Sequence, residues 1–453
     1  MLNIRNRIGK TPLIRAKRLE EMLGISKIFL KLEGNNPSGN KIDRVAIMLI
    51  KDAIAVDKTT ICLGGHNELA KALANTSQFY DINCVFVFTK NNRLLKSPIF
   101  KKNNIKIILN DNNNRQDCIE RSKKLSKENN WYNANPGFEN AMVNMTAYST
   151  IADEINNQLK EPITTLFIQT SFGYAISGLH LGFRRLWTED TIKRIPILYS
   201  CTTNYGNIIY EEYKKNNMKL DTNILKDPPV TKYNKNVIIS QTKMLKNSLD
   251  AIYDTGGCVT GISDEELETY VNKAKELEKI KMTVRNGYAL AGFIQQAKAG
   301  NLTNGNHVII LNDGKINVNV EEIKKDDIDV DTIVDMLSSW LMEYTDPKKE
   351  IKDAVENAFE NGHILVATHN NDITGISVIV NLGFKDFIPT YHLGYIATKK
   401  GINGKGIATQ LLSRAIEITN GNISLHVDRD NKRAIKVYEK MGFHQCYIRM
   451  IHK

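Results

Sequence analysis

TKKGINGKGIATQLL, residues Thr398 to Leu412, follows a strand-like run, YHLGYIA at Tyr391 to Ala397, and opens an amphipathic helix. The helix shows its period in Ile407, Leu411, Leu412, Ala415 and Ile416. A strand, a glycine-bearing turn and a helix start make an anion site. Glycine lets backbone approach a phosphate closely, and first-turn N–H groups have no acceptor within the helix. One helix later comes LHVDRDNKRAIKVYEKMGF, Leu425 to Phe443, with Asn431, Tyr438 and Gly442-Phe443 spaced along a second amphipathic helix.

Together these stretches resemble the GCN5-related N-acetyltransferases, whose loop runs Arg/Gln-x-x-Gly-x-Gly/Ala. Here the loop is Asn403-Gly404-Lys405-Gly406-Ile407-Ala408, with Asn403 where Arg or Gln is usual. The resemblance implies that this loop, with Thr398 before it, holds the pyrophosphate of acetyl-CoA. It also implies that a strand at Ile423 to Val427, Asn431 and Tyr438 complete the site, the Tyr438 hydroxyl protonating the departing thiolate. His392 and Tyr391 are candidates for the base, with surface or packing roles as the alternative. Upstream, a helix at Val330 to Tyr344 and another at Lys348 to Asn361 precede strands at His363 to Thr368 and Thr374 to Asn381. That order fits a mixed α/β acetyltransferase domain over 328–453.

The chain has 453 residues, room for two or three domains, and its 42% hydrophobic and 25% charged content is that of an ordinary globular protein. A net charge of +11 invites a nucleic-acid reading, but the lysines are interspersed with acids, as in DEELETYVNKAKELEKIK from Asp264. No basic block alternates with aromatics, so a solvated surface suited to CoA phosphates is expected and nucleic acid is not. Six scattered cysteines without a CxxC pair point to reduced thiols in a cytoplasm, without structural zinc. The opening MLNIRNRIGK lacks the apolar core of a signal peptide, and no apolar run approaches membrane-spanning length.

From the start of the chain, strand and helix patterns alternate. Strands are expected at Ile28 to Leu32, Thr60 to Leu63, Cys84 to Thr89, Ile105 to Leu109, Thr165 to Gln169 and His307 to Leu311. Helices are expected from about Ile42, at Glu68 to Ser77, Leu94 to Lys102 and Ala141 to Leu159, and from Ser263, where Ser263 to Glu266 forms a capping box. Residues 239–260 read as loop-rich, and the charged EEIKKDDIDVD from Glu321 reads as a linker, over 321–327, or as the first turn of the next domain. The rhythm predicts an α/β domain with parallel strands over 1–320, with a small lobe at about 57–145.

This order is similar to fold-type II pyridoxal phosphate enzymes of the threonine synthase kind. The likeness rests on Gly9-Lys10-Thr11-Pro12-Leu13, the stretch Glu33 to Arg44 beside the family's E-x-x-N-P-T-G-S-F-K-D-R, Asp153-Glu154-Ile155, Gly256-Gly257 and Ala289 to Gly292. It implies two α/β lobes (the tryptophan synthase beta-like fold) around a pyridoxal 5'-phosphate cleft, and commonly a homodimer. The family's cofactor-binding lysine aligns with Ile42, and Lys41 stands one residue early. On a helix one residue turns a side chain by about 100°, so Lys41 is expected to point away from the cleft as a solvated lysine. Where the family has a glycine-rich phosphate loop, this chain has Ser171-Phe172-Gly173-Tyr174-Ala175, two of whose side chains are bulky aromatics.

Asn67 matches the family asparagine beside the cofactor ring, while His66 either fills cofactor space or makes a local hydrogen bond. Asp313 either pairs with the ring nitrogen or ends a strand in a turn. The expectation is an acetyl-CoA-dependent N-acetyltransferase whose N-terminal domain binds or supplies an amino acid or small amine and has lost pyridoxal phosphate catalysis. A pyridoxal phosphate lyase or synthase with an accessory acetyltransferase is the alternative, and a non-catalytic amino-acid-binding regulator a third reading.

Overall fold

The strand Ile28–Leu32 lies parallel to His307–Leu311, in register from Ile28↔His307 to Leu32↔Leu311. That pairing closes the first of two units into which the chain divides, Ile8–Lys315 and the residues from Ile316 onward. The computed structural model describes residues 8–111, 114–137, 139–215, 228–369, 372–399 and 406–446.

The N-terminal unit begins β1 (Leu13–Arg15), α1 (Lys17–Leu23), β2 (Ile28–Leu32), α2 (Asp43–Ala55), β3 (Thr60–Gly64), α3 (Asn67–Thr76) and β4 (Asn83–Thr89). It continues through β5 (Ile105–Asn110), α4 (Arg115–Glu128), β6 (Tyr132–Asn133), α5 (Ala141–Gln158), β7 (Thr165–Gln169) and α6 (Tyr174–Thr188). Next come β8 (Ile197–Thr203), α7 (Ile208–Lys215), α8 (Leu245–Asp254), β9 (Cys258–Ile262) and α9 (Asp264–Glu278). The short β10 (Ile280–Lys281), α10 (Tyr288–Lys298), β11 (His307–Leu311) and the short β12 (Lys315–Ile316) follow.

One sheet has the order β1-β2-β11-β7-β8-β9 and a second the order β5-β4-β3-β6. Every pairing in them is parallel except β1 with β2. Parallel strands covered on both faces read as unbroken apolar runs, which is why TLFIQ and HVIIL, buried at every position, are legible as strands.

Two expectations need correcting here, and one helix is unforeseen. Leu94 to Lys102 is not one helix but two 3-10 turns, Arg93–Lys96 and Pro98–Lys101, because Pro98 has no N–H to continue the ladder. Residues 239–260 are not simply loop: α8 buries Leu245, Leu249 and Ile252, and β9 pairs with β8. The helix α4 has no counterpart among the expected elements; its buried face is Cys118, Ser122 and Ser126, too polar to show as an apolar stripe.

The C-terminal unit holds β13 (Asn319–Glu322), α11 (Val330–Leu341), α12 (Lys348–Asn361), β14 (His363–His369), β15 (Asp372–Asn381), β16 (Tyr391–Thr398), α13 (Ile407–Ile418), β17 (Ile423–Leu425) and α14 (Lys432–Met441). They form a five-stranded sheet in the order β13-β14-β15-β16-β17. The stretch 321–327, expected as linker, starts inside β13, an edge strand whose exposed acids hide its pairing with β14. The helices α11 and α12 pack on one face of the sheet through Ile333, Leu337, Ile351 and Val355. On the other face, Leu411, Leu412 and Ala415 of α13 pack with Leu365, Leu393 and Ile423.

Within this sheet, among the described residues, only β16 and β17 run parallel, and they share three register pairs, ending at Leu393↔Leu425. Beyond that point β16 runs on to Thr398 while β17 has ended. Opposite the parting, the pairing of β15 with β16 slips by one residue, skipping Gly394 between Leu393 and Tyr395.

Candidate functional sites in the two units

In the N-terminal unit the polar side chains gather at the carboxyl ends of β7 and β11, where open parallel sheets bind ligands. The turn ahead of α2 is built by its own sequence. Asn36 donates to the Glu33 carbonyl at 2.9 Å, and Asp43 accepts from the Ser38 N–H at 2.9 Å and its hydroxyl at 2.7 Å. Burial pushes the Asp43 carboxyl up to about 6. Arg44 then anchors the turn with a two-pronged pair to Glu33, at 2.7 and 2.8 Å, and a second to Glu154, at 2.8 and 2.9 Å. Lys31 donates to Glu154 at 2.8 Å, and Thr11 to Glu33 at 2.7 Å. The Arg44 and Lys31 charges hold both carboxyls below the usual range despite burial.

Lys41 lies in this turn, and the expectation of a solvated side chain is wrong. Its side chain enters the interior: the residue is 8% exposed. Nζ donates to the Gln169 carbonyl at 3.4 Å and sits 5.4 Å from the centre of the Tyr148 ring. The Lys41 N–H is fixed to the Asn312 carbonyl at 3.0 Å. The rotation argument fails because α2 starts only at Asp43, so residue 41 is still in the turn. Desolvation lowers the amine to about 8, against an opposing pull from Glu33.

Gln169, the acceptor for Lys41, is also the last residue of β7 before the loop into α6. Gly173 caps α6 at φ 95°, and a Cβ there would lie 2.0 Å from the Ser248 hydroxyl. The carbonyls of Ser171 and Phe172 are tied back by Asn207 at 3.3 Å and Thr242 at 2.7 Å. Tyr174, expected to crowd the loop, turns its hydroxyl to the Gly137 carbonyl at 3.0 Å and is pushed up to about 12 by burial. Phe172 stays beside the loop, its ring 6.1 Å from that of His66. His66 Nδ1 accepts from Arg115 at 2.9 Å, and burial pushes the imidazole down to about 3, so it is neutral.

Asn67 opens α3 and accepts from the Asn92 amide at 2.9 Å. Asp313 is oriented through Oδ2, which accepts from Thr283 N–H at 3.2 Å, Thr283 hydroxyl at 2.6 Å and Asn286 at 2.8 Å. Its Oδ1 is buried without a partner among the described residues, as are Gln169 Oε1, Thr170 Oγ1 and Asn312 Oδ1. Orphaned oxygens clustered at two strand ends fit a polar ligand between them.

In the C-terminal unit, Asn403, Gly404 and Lys405 lie outside the described residues, and Thr398 is the last residue of β16. Gly406 is the N-cap of α13 at φ 82°, Ile407 is buried, and Ala408 is half-buried in the first turn. The first intrahelical donor is the Gln410 N–H, to the Gly406 carbonyl at 3.2 Å, so the amides before it point out of the helix end. The helix sits close on β15: a Cβ on Gly375 would meet Ile407 Cγ2 and Leu411 Cδ1 at 2.9 Å. Asn431 caps α14 by accepting from the Ala434 N–H at 3.0 Å. Tyr438 packs in the same cluster as Leu393 and Ile407, with Phe443 at 6.1 Å, and burial pushes its phenol up to about 12. A feature unforeseen in the sequence is His426, 4.4 Å ring to ring from His392, whose Nδ1 meets the Ser424 hydroxyl at 2.9 Å.

Two family models match the chain. Residues 4–314 match the pyridoxal-phosphate dependent enzymes and residues 333–443 the acetyltransferase (GNAT) family. The chain belongs to the pyridoxal-phosphate dependent enzyme family. This family member thus carries a GNAT domain at its C-terminal end. Its N-terminal part is 22% identical over 314 residues to threonine synthase of Methanocaldococcus jannaschii, covering 68% of this chain and 74% of the relative. A shorter stretch of 53 residues is 43% identical to cysteine synthase B of Escherichia coli, 12% of this chain and 17% of that one.

Among solved structures, threonine deaminase isoform 2 of Solanum lycopersicum superposes with a TM-score of 0.57 at 16% identity, covering 68% of this chain and 85% of its own. Maize serine racemase gives 0.55 at 17%, covering 68% and 92%. At such identities the likeness establishes the fold. No helix among the described residues is long and apolar enough to cross a membrane.

Proposed function

We propose that the N-terminal unit of this pyridoxal-phosphate family member is a lyase or synthase acting on an amino acid. The C-terminal unit is an acetyl-CoA-dependent N-acetyltransferase for a small amine or amino acid. The observation that carries the first half is the buried Lys41 amine, 3.4 Å from the Gln169 carbonyl and lowered to about 8.

The residues fit pyridoxal phosphate. The α6 N-terminal amides behind Gly173 would hold its phosphate, Asn67 its ring oxygen, Asp313 its ring nitrogen and Lys41 its aldehyde carbon. When bound, the group supplies an electron sink for charge at the amino acid's α-carbon. Lys41, with its amine drawn toward neutrality, keeps a share of Nζ unprotonated near pH 8, able to bond to carbon or to take a proton. Asp313 is pre-aligned by three donors, so it meets a cation without rearranging. Phe172 and the neutral His66 pack beside the phosphate loop and limit water there.

In the C-terminal unit the α13 amides from Ile407 would bind the CoA pyrophosphate, and the edge of β16 that runs on past the end of β17 would receive the thioester. An amine loses its proton to a base or water as it attacks the acetyl carbon, the C–S bond breaks, and Tyr438, still protonated at neutral pH, gives its proton to sulfur. Ile42, where the family has its lysine, favours a second reading in which the N-terminal unit binds an amino acid without a cofactor.

The test is to incubate full-length protein with pyridoxal phosphate, reduce with borohydride, and map the adduct by mass spectrometry. A pyridoxyl group on Lys41, with visible absorbance lost in Lys41→Ala, is expected. A colourless protein that takes up no pyridoxal phosphate would leave only the second reading. Acetyl-CoA binding, measured separately by calorimetry, tests the other half.

A further inference from the structure

His392 and His426 meet at the point where β16 and β17 part. Their rings are 4.4 Å apart, and His426 is the first residue beyond the last register pair, Leu393↔Leu425. Ile423 and Leu425 pack toward α13, so by the strand's two-residue alternation Ser424 faces the opposite side of the sheet, and His426, one residue past the strand, is placed there by its ring contact with His392. His392, beside the inward Leu393, shares that side, and the Ser424 hydroxyl fixes its Nδ1 at 2.9 Å. Tyr395 also lies there, packed with α11 and α12, its hydroxyl donating to Asp346 at 2.8 Å. Tyr438, by contrast, belongs to the α13 side. A side chain able to give a proton and one able to take it therefore flank the parted strands from opposite faces.

We propose that His426 takes the proton from the acceptor amine during acetyl transfer, with His392 as the positioning residue that holds its ring. This rests on the acetyltransferase reading of the C-terminal unit. The acceptor nitrogen forms its bond to the acetyl carbon as the C–S bond breaks, and its excess proton passes to His426. Tyr438 protonates the thiolate. His426 is exposed and returns its proton to solvent, while His392 is half-buried and held by Ser424. Imidazole is the side chain whose ordinary range suits proton transfer near neutrality. The acceptor approaches from the side of α11 and α12, where Tyr395 and Asp346 offer hydrogen bonds to a primary amine.

The experiment uses full-length protein, acetyl-CoA, and a panel of the common L-amino acids, putrescine and hydroxylamine, reading CoA release with a thiol reagent. With the best protonated amine, His426→Ala and His426→Gln should lower kcat by about 100-fold. Acetyl-CoA affinity by calorimetry should be unchanged, which also reports that the unit is folded. Added imidazole should restore turnover of His426→Ala. His392→Ala should lower kcat without changing acetyl-CoA affinity, with His392→Asn recovering part of it. Unchanged kcat in the His426 variants with normal acetyl-CoA binding would overturn the proposal. So would a wild-type protein that binds acetyl-CoA and acetylates no amine. Failure of wild type to bind acetyl-CoA would instead overturn the acetyltransferase reading beneath it.

Discussion

The Lys41 amine stands 3.4 Å from the carbonyl oxygen of Gln169, so a lysine one place from its family position still reaches the strand end that leads into α6. The contact joins the turn before α2 to the end of β7 and leaves the charge poorly solvated.

That poor solvation has a stability signature. The folded amine titrates at about 8, below its ordinary 10.5, so between those values the unfolded chain binds more protons than the folded one. Stability therefore rises with pH across that window, and the penalty is fully present below it. Lys41→Met should stabilise the N-terminal unit at pH 7 by up to about 3 kcal/mol and flatten the rise between pH 8 and 10. Urea denaturation at several pH values checks both.

The Arg44 pairs predict a rise of stability with pH in a separate, acidic window. Glu33 and Glu154 are held below their usual range, so their contribution is present above about pH 4.5 and is lost as pH falls through the lowered values. Arg44→Met leaves two buried carboxylates short of a partner and should cost about 3–5 kcal/mol. The midpoint of denaturation at pH 7 and at pH 4 measures the loss, which should shrink at the lower pH.

Gly173 is required twice, by its positive φ and by the Ser248 hydroxyl where a Cβ would go. Gly173→Ala should destabilise by about 1–3 kcal/mol and weaken pyridoxal phosphate uptake, read by absorbance titration. Ser248→Ala in the same chain should recover part of the stability while the φ strain persists.

Gly375 is the corresponding pressure point of the other unit. A valine there would push Ile407 and Leu411 outward and tilt the start of α13. Gly375→Val should weaken acetyl-CoA binding by calorimetry by about 10-fold or more, equivalent to about 1.4 kcal/mol.

Tyr438→Phe removes the proton given to sulfur and keeps the packing against Phe443. Its kcat should fall by about 100-fold with acetyl-CoA affinity unchanged, measured by CoA release.

Much of the fold was legible because its elements carry their burial in their side chains. Thr165–Gln169 and His307–Leu311 are apolar runs at strand length, and the Ser263 cap forms the box its spacing predicts. What escaped was set by partners remote in sequence. The α4 face is built of Cys118, Ser122 and Ser126, and β13 is an acidic edge that only β14 reveals. Lys41 departs from a helical rotation because it lies in the turn ahead of α2, where tertiary contacts set its direction. The His392–His426 contact depends on the parallel register of β16 with β17, which no local pattern announces.

The short seam between β16 and β17 turns the C-terminal sheet into a wall with one slit. Under the acetyl transfer proposed above, a thioester held at the start of α13 and an amine on the α11 side would meet at that opening. Under that proposal, selectivity would belong to the side chains that rim the slit, His392 and His426 among them.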